Sequence, residues 1–359
     1  VTDLRTDDLV ELTEQLVSVP SVSFAEADLA DLVERELRRH TEIEVTRVGD
    51  NVVARTTFDR AQRLVLAGHL DTVPPQGNER PERDGGWLSG VGSADMKGGL
   101  AVMLGALRSA PAGSVDVTWV FYAREEVAAE HSGLAELVRE CPDLLTGDAA
   151  ILGEPSSGQV EAGCQGTLRM VVRLAGERAH SARPWMGRNA VHRLGALLAA
   201  IDRAPLRRPV IDGCEFRESL QAVGVGGGAR SNVVPDAAEL VVNHRFAPDR
   251  CGAEAVAWLR SLFDAHLESG DEFEVDDLAE GALPMLDHPL LRPLVERYGL
   301  EVRAKLGWTD VARFASIGVP AVNLGPGDPA VAHSAGERVA VAEIVAVSSI
   351  VDDLIRCGP

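Results

Sequence analysis

Lysine is nearly absent from this 359-residue chain, which carries it only at Lys97 and Lys305 and takes the rest of its positive charge from arginine. Acidic residues outnumber basic ones by 55 to 35, and the resulting net charge of −20 disfavours nucleic acid and anionic membrane surfaces as partners. No apolar run approaches the ~20 residues that a bilayer-crossing helix needs. The opening VTDLRTDDLVEL lacks the basic-then-apolar pattern of a secretory leader, and Val1 reads as a valine-coded start. The five cysteines (Cys141, Cys164, Cys214, Cys251 and Cys357) are odd in number, scattered and without a CxxC pair. That argues against a disulfide framework or a thiolate metal site and points to reduced thiols in a cytoplasm. A metal held by this chain is therefore held through oxygen and nitrogen. There is also no internal repeat and no low-complexity tract.

What is present suits a soluble globular protein long enough for two domains. Leu9, Leu12, Leu16 and Val17 share one helical face; Leu29, Leu32, Val33 and Leu37 form a second stripe, with Ser23 and Glu26 spaced ahead of it as a capping box. Three apolar runs, RLVLAG (63–68), VDVTWVFYA (115–123) and AAILG (149–153), read as buried strands, and a helix starting at Lys97 separates the first two. From about residue 166 the rhythm changes to strand 167–174, helix 189–202, strands 219–227 and 237–246, helix 251–268 and strand 272–280. That is the β-α-β-β-α-β order of a ferredoxin-like unit. The Gly-rich stretch 224–232 reads as a flexible loop, 321–325 as a strand and 340–356 as a closing helix. The expected fold is an α/β catalytic domain made of 1–165 and 282–359, with a ferredoxin-like domain, 166–281, inserted between them.

Five local strings stand on turns after apolar runs: GHLDTVP (68–74), GVGSADMKGG (90–99), REEV (124–127), GEPSS (153–157) and AHSAGE (332–337). They supply His69, Asp95, Glu126, Glu154 and His333, an imidazole and carboxylate set of the kind that zinc takes. His69, Glu125, Glu126 and Glu154 fall just past strand ends, the edge where open α/β sheets bind ligands. Singly, each has a dull explanation: Asp95 as a helix cap, the Glu125–Glu126 pair as a solvated surface salt-bridged by Arg124, GEP as a turn. Jointly, one two-metal site explains all five. Two zincs roughly 3.5–4 Å apart need a bridging carboxylate. Asp95 is the candidate, which leaves His69 and Glu154 for one metal and Glu126 and His333 for the other. Asp71 stands where it can accept the second N–H of His69. Glu125 is the candidate general base, taking a proton from the attacking water and returning it to the leaving amine. Cobalt and manganese share these ligand preferences.

These strings resemble, over essentially the whole chain, the di-zinc metallopeptidase and amidohydrolase family of carboxypeptidases, aminoacylases, acetylornithine deacetylases and succinyl-diaminopimelate desuccinylases. The resemblance implies the same metal, helper and base roles, and an inserted domain that forms a homodimer. It adds His180 in GERAHSARP, which in such proteins reaches across from the other subunit to polarise the scissile carbonyl. The stretches GEPSS, SNVVPDAAEL with Arg245, and GWTDVARF look most like the desuccinylases of GC-rich Gram-positive bacteria. That implies hydrolysis of N-succinyl-L,L-2,6-diaminopimelate, whose three carboxylates would need Arg245, Asn232, Gly307, Trp308 and Thr309 as contacts. The chain departs from the commoner desuccinylases at Cys164-Gln165-Gly166-Thr167, where those have a basic segment. An acetylornithine-deacetylase-like or aminoacylase-like enzyme, or a small-peptide carboxypeptidase, would share the machinery. A non-catalytic binding protein would have no use for Glu125.

Overall fold

The computed structural model describes residues 3–228 and 231–359. The chain divides into two compact units, Val1–Ala162 with Pro284–Arg303 and Asp310–Pro359, and Gly163–Leu283 with Ala304–Thr309. These limits differ by a few residues from the expected 166–281, and residues 304–309, with Gly307, Trp308 and Thr309, fall in the second unit.

The first unit opens with α1 (Leu9–Val17), whose N-terminus is capped by the Asp8 carboxylate and whose Leu12, Leu16 and Val17 are buried. In α2 (Ala27–Leu37) the stripe of Leu29, Leu32, Val33 and Leu37 is buried as its spacing predicts. The capping box does not form. Glu26 itself stands at the N-cap and makes no side-chain cap hydrogen bond, because the Ser23 and Glu26 side chains bind residues 71 and 124 instead. A hairpin of β1 (Ile43–Val48) and β2 (Asn51–Thr56) leads to β3 (Arg63–His69). Then follow α3 (Gly98–Gly105), β4 (Asp116–Tyr122), β5 (Ala149–Leu152) and β6 (Val160–Cys164). Every residue of α3 is buried, which fits a helix that is apolar all round. Gly99 is obligatory there: a Cβ would lie 2.1 Å from the Gly153 carbonyl oxygen, just beyond β5.

The second unit contains β7 (Gly166–Ala175), α4 (Ala190–Asp202), β8 (Ser219–Gly227), β9 (Ala237–Phe246), α5 (Gly252–Phe263) and β10 (Glu272–Ala279). Its sheet runs β8-β9-β7-β10, antiparallel throughout, as in the expected ferredoxin-like unit. Leu168, Met170, Val172, Leu240 and Val242 pack with Leu194, Leu197, Leu259 and Phe263 of the helices to form its core. The Gly-rich stretch is only partly a loop. Gly224–Gly227 pair with Val241–Ala238 after a bulge at Ala222, while Ala229 and Arg230 lie outside the described residues.

On its return the chain forms β11 (Val302–Lys305), β12 (Ala321–Asn323) and α6 (Val341–Cys357). The large sheet has the order β1-β2-β4-β3-β5-β12-β6-β11. Its centre, β4-β3-β5-β12, is parallel. All residues of β4 and β5 are buried, which is why both read as unbroken apolar runs. The register sets His69 opposite Tyr122 and Ala67 opposite Leu152, so the parallel strands end together. A small ribbon pairs Arg338–Ala340 with Trp87–Ser89, and the latter with Glu82–Asp84. It ties the segment ahead of Asp95 to the one after His333. Among the described residues no helix is long and apolar enough to cross a membrane.

Candidate active site

His69 is the last residue of β3, and its side chain is 1% exposed. Its Nδ1–H donates to the main-chain oxygen of Asp71 at 2.9 Å, which turns Nε2 toward Asp95. Asp95 sits in the turn Ser93–Lys97, entered through Gly92 at φ 78°, where a Cβ would meet Thr72 Cγ2 at 2.6 Å. One Asp95 oxygen is 3.0 Å from His69 Nε2 and the other is 3.3 Å from His333 Nε2. His333 Nε2 is also 2.7 Å from Glu126 Oε1. Asp95 thus offers one oxygen to each imidazole, the arrangement of a carboxylate that bridges two cations. Ligand atoms of His69, Asp95 and Glu126 all lie within 4.8 Å of one another. Glu154, two residues past β5, is buried, and its charge acts on both His69 and Glu125.

The Asp71 carboxylate does not serve as the expected partner of the imidazole. Its Oδ1 stands 3.6 Å from His69 Nδ1, because the main-chain oxygen already occupies that donor. The carboxylate faces the end of β4 instead, where it accepts the amides of Glu125 (2.9 Å) and Glu126 (3.1 Å). Arg124 does not salt-bridge the acidic pair either; it reaches Glu136 at 2.9 Å. Glu337, which no motif marks as functional, accepts the amides of Ala94 and Asp95 at 3.0 Å each and so holds the Asp95 turn. The one available signal was its place four residues after His333. Lys97 is buried and donates to the Val19 carbonyl at 2.7 Å; burial pushes its ammonium down to about 7.

The electrostatics favour a cation. Burial alone would depress the His69 imidazole, yet the hydrogen bond to Asp95 and the charges of Glu154, Asp95 and Asp71 hold it well above its usual value. The hydrogen bond to Asp95 is the main reason His333 is pushed up to about 9, with Glu126 adding to it against burial. Burial raises the Glu126 carboxyl and raises that of Glu125 strongly, with Glu154, Asp310 and Glu126 adding repulsion at Glu125. Asp310 is fixed by Arg313 at 2.7 Å and lies beside the Tyr122 phenol, which burial and that charge keep protonated. Among the described residues neither Asp95 nor Glu126 has a lysine or arginine partner. A buried, carboxylate-rich set of nitrogen and oxygen donors fits one or two divalent cations. Glu125, next in sequence to Glu126, is a carboxyl that burial pushes well above its usual range.

The remaining candidates belong to the second unit. His180 pairs with Val233 in a two-residue ladder, and the carbonyl of Asn232 accepts the Ser181 amide at 3.0 Å, so His180 and Asn232 are neighbours. Both are exposed. Arg245, half-buried on β9 opposite Thr167, carries a guanidinium that burial lowers and the Asp277 charge supports. Trp308 donates from Nε1 to the Glu280 carbonyl at 3.0 Å, and the Cys164 thiol lies 3.8 Å from the Thr309 carbonyl oxygen. Gly307 is exposed.

Residues 65–356 match the sequence profile of peptidase family M20/M25/M40. The chain belongs to that family. Among M20/M25/M40 relatives, a Mycobacterium tuberculosis protein assigned as the succinyl-diaminopimelate desuccinylase DapE is 49% identical over 99% of this chain and 98% of its own length. A Corynebacterium glutamicum succinyl-diaminopimelate desuccinylase is 42% identical over 97% of this chain and 96% of its own. Among solved structures, aminopeptidase PepT from Bacillus cereus superposes with a TM-score of 0.79 at 20% identity, covering 98% of both chains. YXEP of Bacillus subtilis, a dinuclear metal-binding peptidase, gives 0.68 at 17% identity, covering 96% of both. At those identities the likeness is one of fold.

Proposed function

We propose that this chain is a two-metal amidase that hydrolyses N-succinyl-L,L-2,6-diaminopimelate to succinate and L,L-2,6-diaminopimelate, a step toward lysine and peptidoglycan. The observation that carries the reaction class is Asp95, offering one oxygen to each of two imidazoles, with Glu125 beside it. The identity of the substrate rests on the 49% and 42% relatives, aligned over nearly their full lengths.

His69 and Glu154 would hold one zinc, Glu126 and His333 the other, and Asp95 both; cobalt or manganese suits the same donors. When bound, such cations lower the pKa of water towards ~7 and polarise the amide carbonyl. Glu125 takes the proton of the attacking water and delivers it to the amine nitrogen as the C–N bond breaks, so succinate leaves with the oxygen and the diamine with the proton. His69 keeps its orientation through the Asp71 carbonyl, and Asp71 fixes the main chain at Glu125 and Glu126. Arg245 and Asn232, with Gly307, Trp308 and Thr309, are assigned to the substrate's carboxylates. The reading includes a homodimer formed through the second unit, with His180 of the partner subunit at the scissile carbonyl. It also includes a cytoplasmic location, which the scattered cysteines, odd in number and without a CxxC pair, support.

The test is turnover by the zinc-loaded protein of N-succinyl-L,L-2,6-diaminopimelate against N-acetylornithine. Succinate release with little deacetylation is expected. The reverse preference would overturn the substrate while leaving the reaction class standing.

A further inference from the structure

We propose that Ser23 and Glu26 are positioning residues for the turn that carries Glu125 and Glu126. The proposal rests on the reading of Glu125 as the base. Three consecutive amides of that turn end on two carboxylates: Arg124 N–H on Glu26 Oε1 at 3.1 Å, Glu125 N–H on Asp71 Oδ1 at 2.9 Å, and Glu126 N–H on Asp71 Oδ2 at 3.1 Å. The Ser23 hydroxyl donates to Asp71 Oδ2 at 2.7 Å and so fixes the carboxylate that holds two of the three. Arg124 is left-handed at φ 61°, a conformation that an outside acceptor for its amide helps to hold.

Main-chain bonds fix the segment that supplies both side chains. Val22 bridges Thr72 in parallel fashion, with Thr72 N–H bound to the Ser21 carbonyl (2.9 Å) and Ser23 N–H to that of Thr72 (3.2 Å). The chain then turns through Phe24 at φ 73°, a strained conformation for a bulky residue, which leaves the Phe24 ring 60% exposed while Glu26 is fully buried. Among the described residues Glu26 has no lysine or arginine partner, and the nearby Asp71 charge opposes its own. Main-chain amides, those of Phe24, Glu26 and Arg124, answer its charge against the cost of burial. What Glu26 contributes is a fixed acceptor at the catalytic turn.

The full-length chain is compared as wild type, Glu26→Gln, Glu26→Leu and Ser23→Ala. For the zinc-loaded proteins kcat, KM and melting temperature are measured; for the metal-free proteins, amide hydrogen exchange across 120–127. Glu26→Leu should lower kcat about a hundredfold with KM nearly unchanged, the scale set by small misplacements of a catalytic group. Exchange across the turn should quicken roughly ten- to a hundredfold, out of proportion to any change in melting temperature. Glu26→Gln keeps an acceptor and should restore most of kcat and protection, and Ser23→Ala should give a smaller loss in the same direction. Unchanged kcat and exchange in Glu26→Leu overturns the proposal. So does a loss shared equally by the Gln and Leu variants, or one that follows the melting temperature. An active Glu125→Gln would sink the base assignment alone, because exchange at 124–126 reports the brace without turnover.

Discussion

Replacing Glu125 by glutamine exchanges one carboxylate oxygen for an amide of equal size and leaves the main chain held by Asp71 at 2.9 Å. None of His69, Asp95, Glu126, Glu154 and His333 is altered, so both metals should stay bound with KM close to wild type. A positioned base accounts for ~10²–10⁴-fold in rate, and kcat should fall by that factor. Stability should move the opposite way. Burial, together with the charges of Glu154, Asp310 and Glu126, disfavours a charged carboxylate at this position. A neutral amide relieves that strain, which should be seen as a higher melting temperature of the metal-free protein. The assay combines succinate release, metal content by atomic absorption and thermal unfolding. A kcat within about tenfold of wild type with both metals in place would refute the role. Loss of a metal would make Glu125 a ligand instead.

Other expectations follow from the same contacts. Glu337→Ala leaves the buried amides of Ala94 and Asp95 unpaired, and zinc affinity should fall ~10–100-fold in a competition titration; unchanged affinity would contradict this. Asp271 is buried by the fold but receives both Arg193 nitrogens, at 2.7 and 2.5 Å, and two amides, so its carboxyl is held at about 2. Its folded value lies below the unfolded one, so the stabilisation, about 2 kcal/mol, is complete above pH ~4 and lost as pH falls toward 2. Urea unfolding should therefore show a shallower acid dependence in Asp271→Asn than in wild type, and equal slopes would refute it. Gly99→Ala places a methyl 2.1 Å from the Gly153 oxygen. It should cost about 1–3 kcal/mol and lower metal affinity by displacing Glu154; a variant as stable as wild type would show that α3 can shift freely.

The parts of the fold that were legible are those with a strong period or an unbroken apolar run. β3, β4 and β5 are buried on both faces, so their sequences are continuous and their ends mark the places of His69, Glu125, Glu126 and Glu154. The ferredoxin-like unit shows alternation long enough to count. The ribbon of Glu82–Asp84, Trp87–Ser89 and Arg338–Ala340 carries no such signal, because three residues cannot show a period. Yet it is this ribbon that connects the neighbourhood of His333 to that of Asp95. The second set of contacts was hidden for another reason. Glu26, Asp71 and Glu337 act by accepting main-chain amides 98, 54 and 243 residues away, and any amide looks the same in a sequence. Ser23 and Glu26 accordingly read as a local cap, the ordinary use of that spacing, although their partners lie across the fold.

Under the proposed function Asp95 would be shared by two cations, and Glu125 would move the proton of the hydrolysis. The most direct test is succinate release from N-succinyl-L,L-2,6-diaminopimelate as zinc is returned stepwise to the metal-free protein. No activity is expected without metal, and the rise should reach its plateau at two zinc ions per chain, with Asp95→Ala abolishing both binding steps. Full activity in the metal-free protein, or a plateau unaffected by Asp95→Ala, would contradict this.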